Sequence, residues 1–372
     1  MTGYDAVVVG AGVMGATTAL WLARGGMKVA LVDRGALCRE ASGVNAGTLT
    51  LHMTRAALIP HALEGWRLWT TAADWLDREA GVVATPGLCL AFTAAEEALL
   101  AARSSVRREA GAPIESITVA RAREIEPALN PAVRAVAHCP LDGHVLAHLT
   151  GRAYRRALAA AGVAVMEGVS VTGVERRRGG FGLNTASGPG PSGRRLVLAG
   201  GVWLEPMLGW LGIRLPIRTL VNQLVVTERL PPVMRTVLTI ASGLLSLKQF
   251  ANGTVLVGGG WQGTGNRDAG RGSVVAAHVV GNLRLAAWTV PALRQGRIVR
   301  AWTGFEAETA DALPVAGPVP GVPDAWALGS VHSGYTSAPC FGRLLADAML
   351  DRSPRLPLFP LDRLLTSEPV PA

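Results

Sequence analysis

The sequence predicts an α/β protein with an added, mainly antiparallel β part: a Rossmann-like nucleotide-binding domain interleaved with a second domain. Three observations carry this expectation. Residues 4–34 read as strand, glycine-rich turn, helix and strand, closed by an acid. Strand-like runs with a hairpin signal fill about 215–258. At 372 residues the chain has room for two domains, given about 100–200 residues for each.

Ala6–Val9 is a short, fully apolar strand, and Gly10-Ala11-Gly12-Val13-Met14-Gly15 follows it as GxGxxG. Ala16–Arg24 has helical periodicity and stops at Gly25-Gly26. Lys28–Val32 is the second strand. Asp33 and Arg34 close it, with Asp33 18 residues after Gly15. Gly10 permits the tight turn, Gly12 lets backbone approach a pyrophosphate, and Gly15 lets helix sit on strand. The helix N-terminus offers unpaired amides to phosphate, with Val13 and Met14 in its first turn. Asp33 suits the hydroxyls of an adenosine ribose. The motif alone leaves NAD and FAD open.

Glu40–Thr48 is small, polar and glycine-rich, and Ser42, Asn45, Ala46, Gly47 and Thr48 are placed to run along a long dinucleotide. Further on come a helical run His148–Ala161, a strand Val165–Glu175 and the apolar segment Arg195–Trp203 with Gly200-Gly201. Gly188–Gly193 reads as an exposed turn or short loop. Strands are expected over Leu215–Thr227, Val237–Ile240, Gly243–Phe250 and Thr254–Gly258, with Asn252-Gly253 as the hairpin turn. Ala325–Thr336 is a strand running into a glycine-rich loop, and a helix is expected over roughly Pro339–Leu350. The Pro-rich tail Ser353–Ala372 is expected to trail over the surface.

These motifs together resemble the D-amino-acid oxidase, glycine oxidase and sarcosine oxidase family of FAD-dependent amine oxidoreductases, along nearly the whole chain. The resemblance implies a glutathione-reductase-like fold of the D-amino-acid-oxidase type. It implies an FAD-binding domain from 1–80, 146–215 and 300–372, and a substrate domain from 81–145 and 216–299. It chooses FAD over NAD. It adds Val169 against the adenine, Gly200 and Trp203 near the pyrophosphate, and Gly304, Gly329, His332, Ser333, Gly334, Tyr335 and Thr336 about the flavin. Covalent members attach flavin through a Cys or His where this chain has Gly304 and Val44, so noncovalent FAD is expected. The activity implied is oxidation of a C–N bond to the imine, by hydride transfer to the flavin.

Amino-acid-oxidising members hold the substrate carboxylate with an Arg, and Glu306 stands at that place in Ala301–Asp311. Two carboxylates repel in a low-dielectric pocket. The substrate is therefore expected to be a cationic amine paired with Glu306 or Glu308, or to be held by another cation, Lys248. The alternatives are that both acids face solvent or pair with Arg300, and that Lys248 is an edge-strand solubility residue. His52 and His332 are the remaining catalytic candidates, and Ser246 falls near an assisting Tyr of the family. The segment also resembles catalytic subunits of heteromeric dehydrogenases acting on opines, hydroxyproline or glycine. That reading implies flavin or iron–sulfur electron-transfer partners. A non-catalytic, flavin-bearing subunit is the outside class.

Composition excludes other classes. No apolar stretch is long enough for a membrane span. Of 36 basic residues only Lys28 and Lys248 are lysine, and the arginines behind the net charge of +9 are dispersed, unlike a nucleic-acid stripe. Four cysteines without a CxxC pair form neither a disulfide framework nor a zinc site. The N-terminus leads directly into the first strand without a secretory pattern, which predicts a cytoplasmic protein.

Overall fold

The computed structural model describes residues 3–76, 80–329 and 334–365. The chain opens on a parallel core. The strand Tyr4–Val9 pairs parallel with Val29–Val32 on one side and with Gly188–Leu198 on the other. Ala6 and Val8 pack into one apolar cluster with Val29 and Leu31, while Val7 and Val9 pack into another with Ala30 and Val32. Strand side chains alternate between faces, so a sheet covered on both sides needs an unbroken apolar run. Ala164–Met166 extends this sheet beyond Val29–Val32, and Ala325–Gly329 pairs parallel with Gly188–Leu198.

The helix Val13–Arg24 starts three residues earlier than its periodicity predicts, because its first turn is the glycine motif itself. The helices Ala147–Ala160 and Ala338–Met349 lie within a residue of expectation. Val165–Glu175 is not one strand. It breaks into Ala164–Met166 and Val171–Arg177 around Gly168, whose φ of +72° turns the chain between them.

Gly188–Gly193 is not a loop. It is the first half of the 11-residue strand Gly188–Leu198 and pairs antiparallel with Gly180–Thr185. The other neighbour, Tyr4–Val9, joins only from Gly193 onward. Pro189 and Pro191 thus sit where the strand has an open edge, which tolerates a missing amide hydrogen.

The second large sheet runs in the order Ile298–Glu308, Arg218–Arg229, Thr254–Gly258, Ser246–Gln249, Val237–Ile240, Gly87–Ala91, Ala135–Cys139, Glu115–Ile117. All pairs are antiparallel except Val237–Ile240 with Gly87–Ala91. The turn at Asn252-Gly253 links two of its strands as its sequence predicts. Ile298–Glu308 pairs along its length with Arg218–Arg229, so this sheet runs past the boundary expected at 299. A three-stranded sheet, Thr48–Leu49 with Gly143–Val145 with Val82–Ala84, lies apart from both.

The tail differs from expectation up to residue 365. Phe359 bridges to Ala316, and Leu361 is fully buried at the start of a short helical turn. Among the described residues no helix is long and apolar enough to cross a membrane.

Candidate active site

The carboxyl end of the first strand opens into the glycine turn. Gly10 has φ +109°, and a Cβ there would collide with the Ala199 carbonyl; one on Gly15 would collide with the Gly10 carbonyl. These two positions are therefore closed to side chains. The turn leads into a helix whose N-cap, Gly12, offers no side-chain cap. Such a terminus presents unpaired amides and a partial positive charge. The Val13 amide donates to Ser42 Oγ at 3.0 Å, which ties the second loop to this terminus.

Asp33 closes the turn from the second strand. Its Oδ2 accepts from the Ala11 amide at 2.6 Å and its Oδ1 from the Gly35 amide at 2.7 Å. Each oxygen keeps a further lone pair. The Val169 amide donates to the Asp33 carbonyl at 2.9 Å, which fixes Val169 beside it. The Arg34 guanidinium lies 3.8 Å from the centre of the Trp203 ring, within cation–π range. Asn45 shapes the second loop: its Nδ2 donates to the Ala41 and Ser42 carbonyls, and its Oδ1 accepts from Gly47.

These segments meet at one cavity of about 600 Å³. Gly10, Gly12, Val13, Met14, Gly15, Asp33 and Arg34 form part of its wall, as do Ser42, Asn45, Ala46, Gly47 and Thr48. Val169, Gly200, Trp203, Gly304, Gly329, Gly334, Tyr335 and Thr336 complete the expected set. His332 and Ser333 lie outside the described residues. Tyr335 is anchored from behind: its hydroxyl meets Thr150 Oγ1 at 2.7 Å, and its ring stacks on Trp69. Trp302 donates from Nε1 to the Val44 carbonyl at 2.8 Å, so the strand Ile298–Glu308 clasps the second loop.

The catalytic candidates divide. Glu306 is on the cavity wall, where Asn222 donates from Nδ2 to its Oε2 at 2.5 Å. Gln262 in turn donates to Asn222 Oδ1 at 2.7 Å. Glu308, two residues on, is spoken for by Arg55 and Arg218, while Arg300, its expected alternative partner, lies near the Trp302 ring. His52 does not face the cavity. It is buried, its Nε2 is 3.4 Å from the Gly87 carbonyl, and burial pushes its pKa down to about 3. Hydrophobic neighbours on both flanks, Leu51 and Met53, gave no sign of which way its ring turns.

Lys248 is not an edge residue. It lies on an internal strand and is 1% exposed. Its Nζ donates to Thr48 Oγ1, and burial lowers its pKa to about 7. Thr48 Oγ1 is 3.2 Å from Ser246 Oγ, and both residues line the cavity. Cys340, at a helix start, is buried, which raises its thiol well above the usual range and leaves no thiolate. Among the described residues no cluster suits a metal ion.

Asn222 and Gln262 were not legible as site residues. They are 40 positions apart and meet because an isolated bridge joins them beside Arg218–Arg229. That strand's register sets Asn222 opposite Gly304, and no local pattern announces a register.

A family model described as "FAD dependent oxidoreductase" matches residues 5–348. A glycine oxidase of Geobacillus kaustophilus is 28% identical over 353 residues, covering 92% of each chain. Its namesake crystal structure from that organism superposes with a TM-score of 0.87 at 26% identity, covering 100% of both chains. One of the subunits of an opine oxidase of Rhizobium meliloti is 28% identical over 347 residues, covering 90% of each.

Proposed function

The chain belongs to the FAD-dependent oxidoreductase family, and on that premise we propose that it oxidises a cationic amine whose nitrogen is held by Glu306. It is an FAD-dependent oxidoreductase of the amine and amino-acid class. The observation that carries the finer reading is Glu306 on the cavity wall, held by Asn222. A carboxylate there attracts an ammonium and repels a substrate carboxylate, and a dry pocket strengthens both effects.

The residues present fit FAD. The glycine turn Gly10–Gly15 and the helix N-terminus that follows Gly12 would hold the diphosphate. Asp33 keeps lone pairs for ribose hydroxyls, and Arg34 with Trp203 offers a flat cationic shelf. When bound, FAD supplies the two-electron acceptor for the hydrogen leaving the carbon next to nitrogen. The protein's part is to bind and orient. Glu306 and the hydroxyl of Thr48 meet the nitrogen, Asn222 and Gln262 fix Glu306, and the hydroxyl of Ser246 offers a hydrogen bond to the rest of the substrate.

Anaerobic titration of the purified protein with amines, D- and L-amino acids, N-methylated amino acids and opines tests this. Bleaching of the flavin bands by amines in preference to simple α-amino acids is the expected result. Preference for glycine, retained in Glu306→Gln, sinks the Glu306 clamp.

The match to one component of a multi-subunit opine oxidase, over 90% of both chains, favours a second reading. In it the chain is the catalytic subunit of a heteromeric dehydrogenase that passes electrons to a flavin or iron–sulfur partner. Co-purification with such a partner supports it; a homomer fully active with oxygen counts against it.

A further inference from the structure

Lys248 is a buried titratable group to which amine binding gives no task. Its strand, Ser246–Gln249, has neighbours on both sides, and among the described residues no acidic side chain forms an ion pair with it. A lysine kept in such a place without a counter-charge costs stability and calls for a role. Its Nζ meets the hydroxyl of Thr48, which is half-buried and belongs to the cavity wall. Thr48 thus joins Lys248 to the cavity wall.

We propose that Lys248 takes up the proton that an ammonium substrate must shed before oxidation, through the hydroxyl of Thr48. The inference rests on the reading of the cavity as an amine site. An amine gives up hydrogen from the adjacent carbon only when the nitrogen lone pair is free to form the new C=N bond. The substrate ammonium passes one proton to Thr48 Oγ1 as Thr48 passes its own hydroxyl proton to the neutral Nζ. The products of this step are a neutral amine and the Lys248 ammonium, so charge and protons balance. The proton returns to solvent by the same hydroxyl once the product has left. Burial keeps the neutral lysine available near pH 7, where an exposed one would be charged.

Among the described residues the groups facing Lys248 are few. His144 lies opposite Thr48 in the three-stranded sheet, and burial together with the Lys248 charge pushes its pKa down to about 4. The flanking strands Val237–Ile240 and Thr254–Gly258 carry no titratable side chain. Asp142, two residues before His144, is bonded to Thr50 and Leu51 and is raised to about 7 by burial. Of the acids on the cavity wall, Asp33, Glu40 and Glu306, Asp33 accepts from the Ala11 and Gly35 amides and Glu306 from Asn222. Because Asp142 titrates in the same range, the test must read Lys248 itself.

With two lysines in the chain, the flavin-loaded protein labelled with ¹³Cε-lysine gives two side-chain signals by NMR, and Lys28→Arg assigns them. The Lys248 signal is expected to titrate near neutral pH; an ammonium that persists to pH 9 overturns the proposal. The second arm is the pH profile of anaerobic flavin reduction by the best amine found. Wild type should speed up as pH rises through neutrality. Lys248→Met should be slower by about 10²-fold at pH 7, with its profile moved toward the pKa of the free substrate ammonium. Lys248→Arg, which stays charged, should not rescue, whereas Thr48→Ser should and Thr48→Val should not. Rescue by Arg would make Lys248 a fixed cation and overturn the proposal. An unchanged profile in Lys248→Met overturns it while leaving the amine site standing. Failure of every amine to bleach the wild-type flavin at any pH overturns both.

Discussion

Asn222 Nδ2 donates to Glu306 Oε2 at 2.5 Å from the neighbouring strand, and this bond aims a carboxylate into the cavity. The two residues are not opposite one another. Asn222 is in register with Gly304 and Glu306 with Leu220, so the amide reaches diagonally past a residue that has no side chain. Diagonal neighbours across a strand pair are within reach of polar side chains of this length.

Glu306→Gln keeps the shape and removes the charge. For an amine substrate it should raise KM and lower kcat/KM by about 10- to 100-fold, the scale of a lost charge-assisted hydrogen bond at roughly 1.5–3 kcal/mol. Asn222→Ala should produce a smaller change in the same direction, by freeing the Glu306 side chain. Steady-state kinetics on a panel of amines and amino acids checks both. Equal kcat/KM ratios across the panel in wild type and Glu306→Gln would remove Glu306 from substrate selection.

Gly10→Ala should give a folded protein with little bound flavin. The substitution combines a left-handed φ of +109° with a collision against the Ala199 carbonyl. The loop would have to move just where the diphosphate is expected. The ratio of flavin to protein absorbance after purification reads the loss, and circular dichroism separates it from general unfolding. A full complement of flavin in this variant would place the diphosphate elsewhere.

The first part of the cofactor site is local in sequence, which is why it could be read from the residues, whereas Val169, Gly200, Trp203, Gly304 and Gly329 came only through the family resemblance. Gly10–Gly15, Asp33 and the Ser42–Thr48 loop lie within 39 residues, and each works through backbone geometry that its residue type announces. The substrate half is assembled by sheet register. Asn222, Gln262 and Glu306 come from distant segments, and Lys248 meets Thr48 across 200 positions. An alternating pattern gives a strand its two faces but not its neighbour, so Lys248 could be read as an edge residue when its strand is internal. The fold misreadings share a local cause. Pro189 and Pro191 suggested a turn, but a strand with one open edge accepts them. Ser353–Leu365 looked like a free tail, yet Leu361 is buried.

Asp142 should govern stability on the acid side of neutrality. Burial raises its carboxyl to about 7, above its unfolded value. Between the two values the folded state holds a proton that the unfolded chain has lost. Its contribution is therefore complete below the unfolded value and is lost as pH rises through about 7. Asp142→Asn, which keeps an acceptor for the Leu51 amide, should flatten this dependence. At pH 7 it should recover on the order of 2–4 kcal/mol relative to wild type, before any local strain. Urea unfolding at pH 5, 6 and 7 measures the slope. An identical slope in Asp142→Asn would mean that another group sets it.

Lys248→Met should make the protein slower but more stable. Here the sign is opposite to that of Asp142. The folded pKa, about 7, lies below the unfolded one, so between them the unfolded chain binds a proton that the folded one lacks. Stability rises with pH across that window, and the penalty for burying the ammonium is complete below about 7. Methionine fills similar space without a charge, so the gain should be largest below pH 7, on the order of 3 kcal/mol, and should vanish at high pH. Melting temperatures of wild type and variant at pH 6 and pH 10 test this. A variant less stable at pH 6 would show that the Lys248–Thr48 bond outweighs desolvation, so that the lysine is kept for the fold. A more stable, slower variant would show that a destabilising charge is retained for what it does at the cavity.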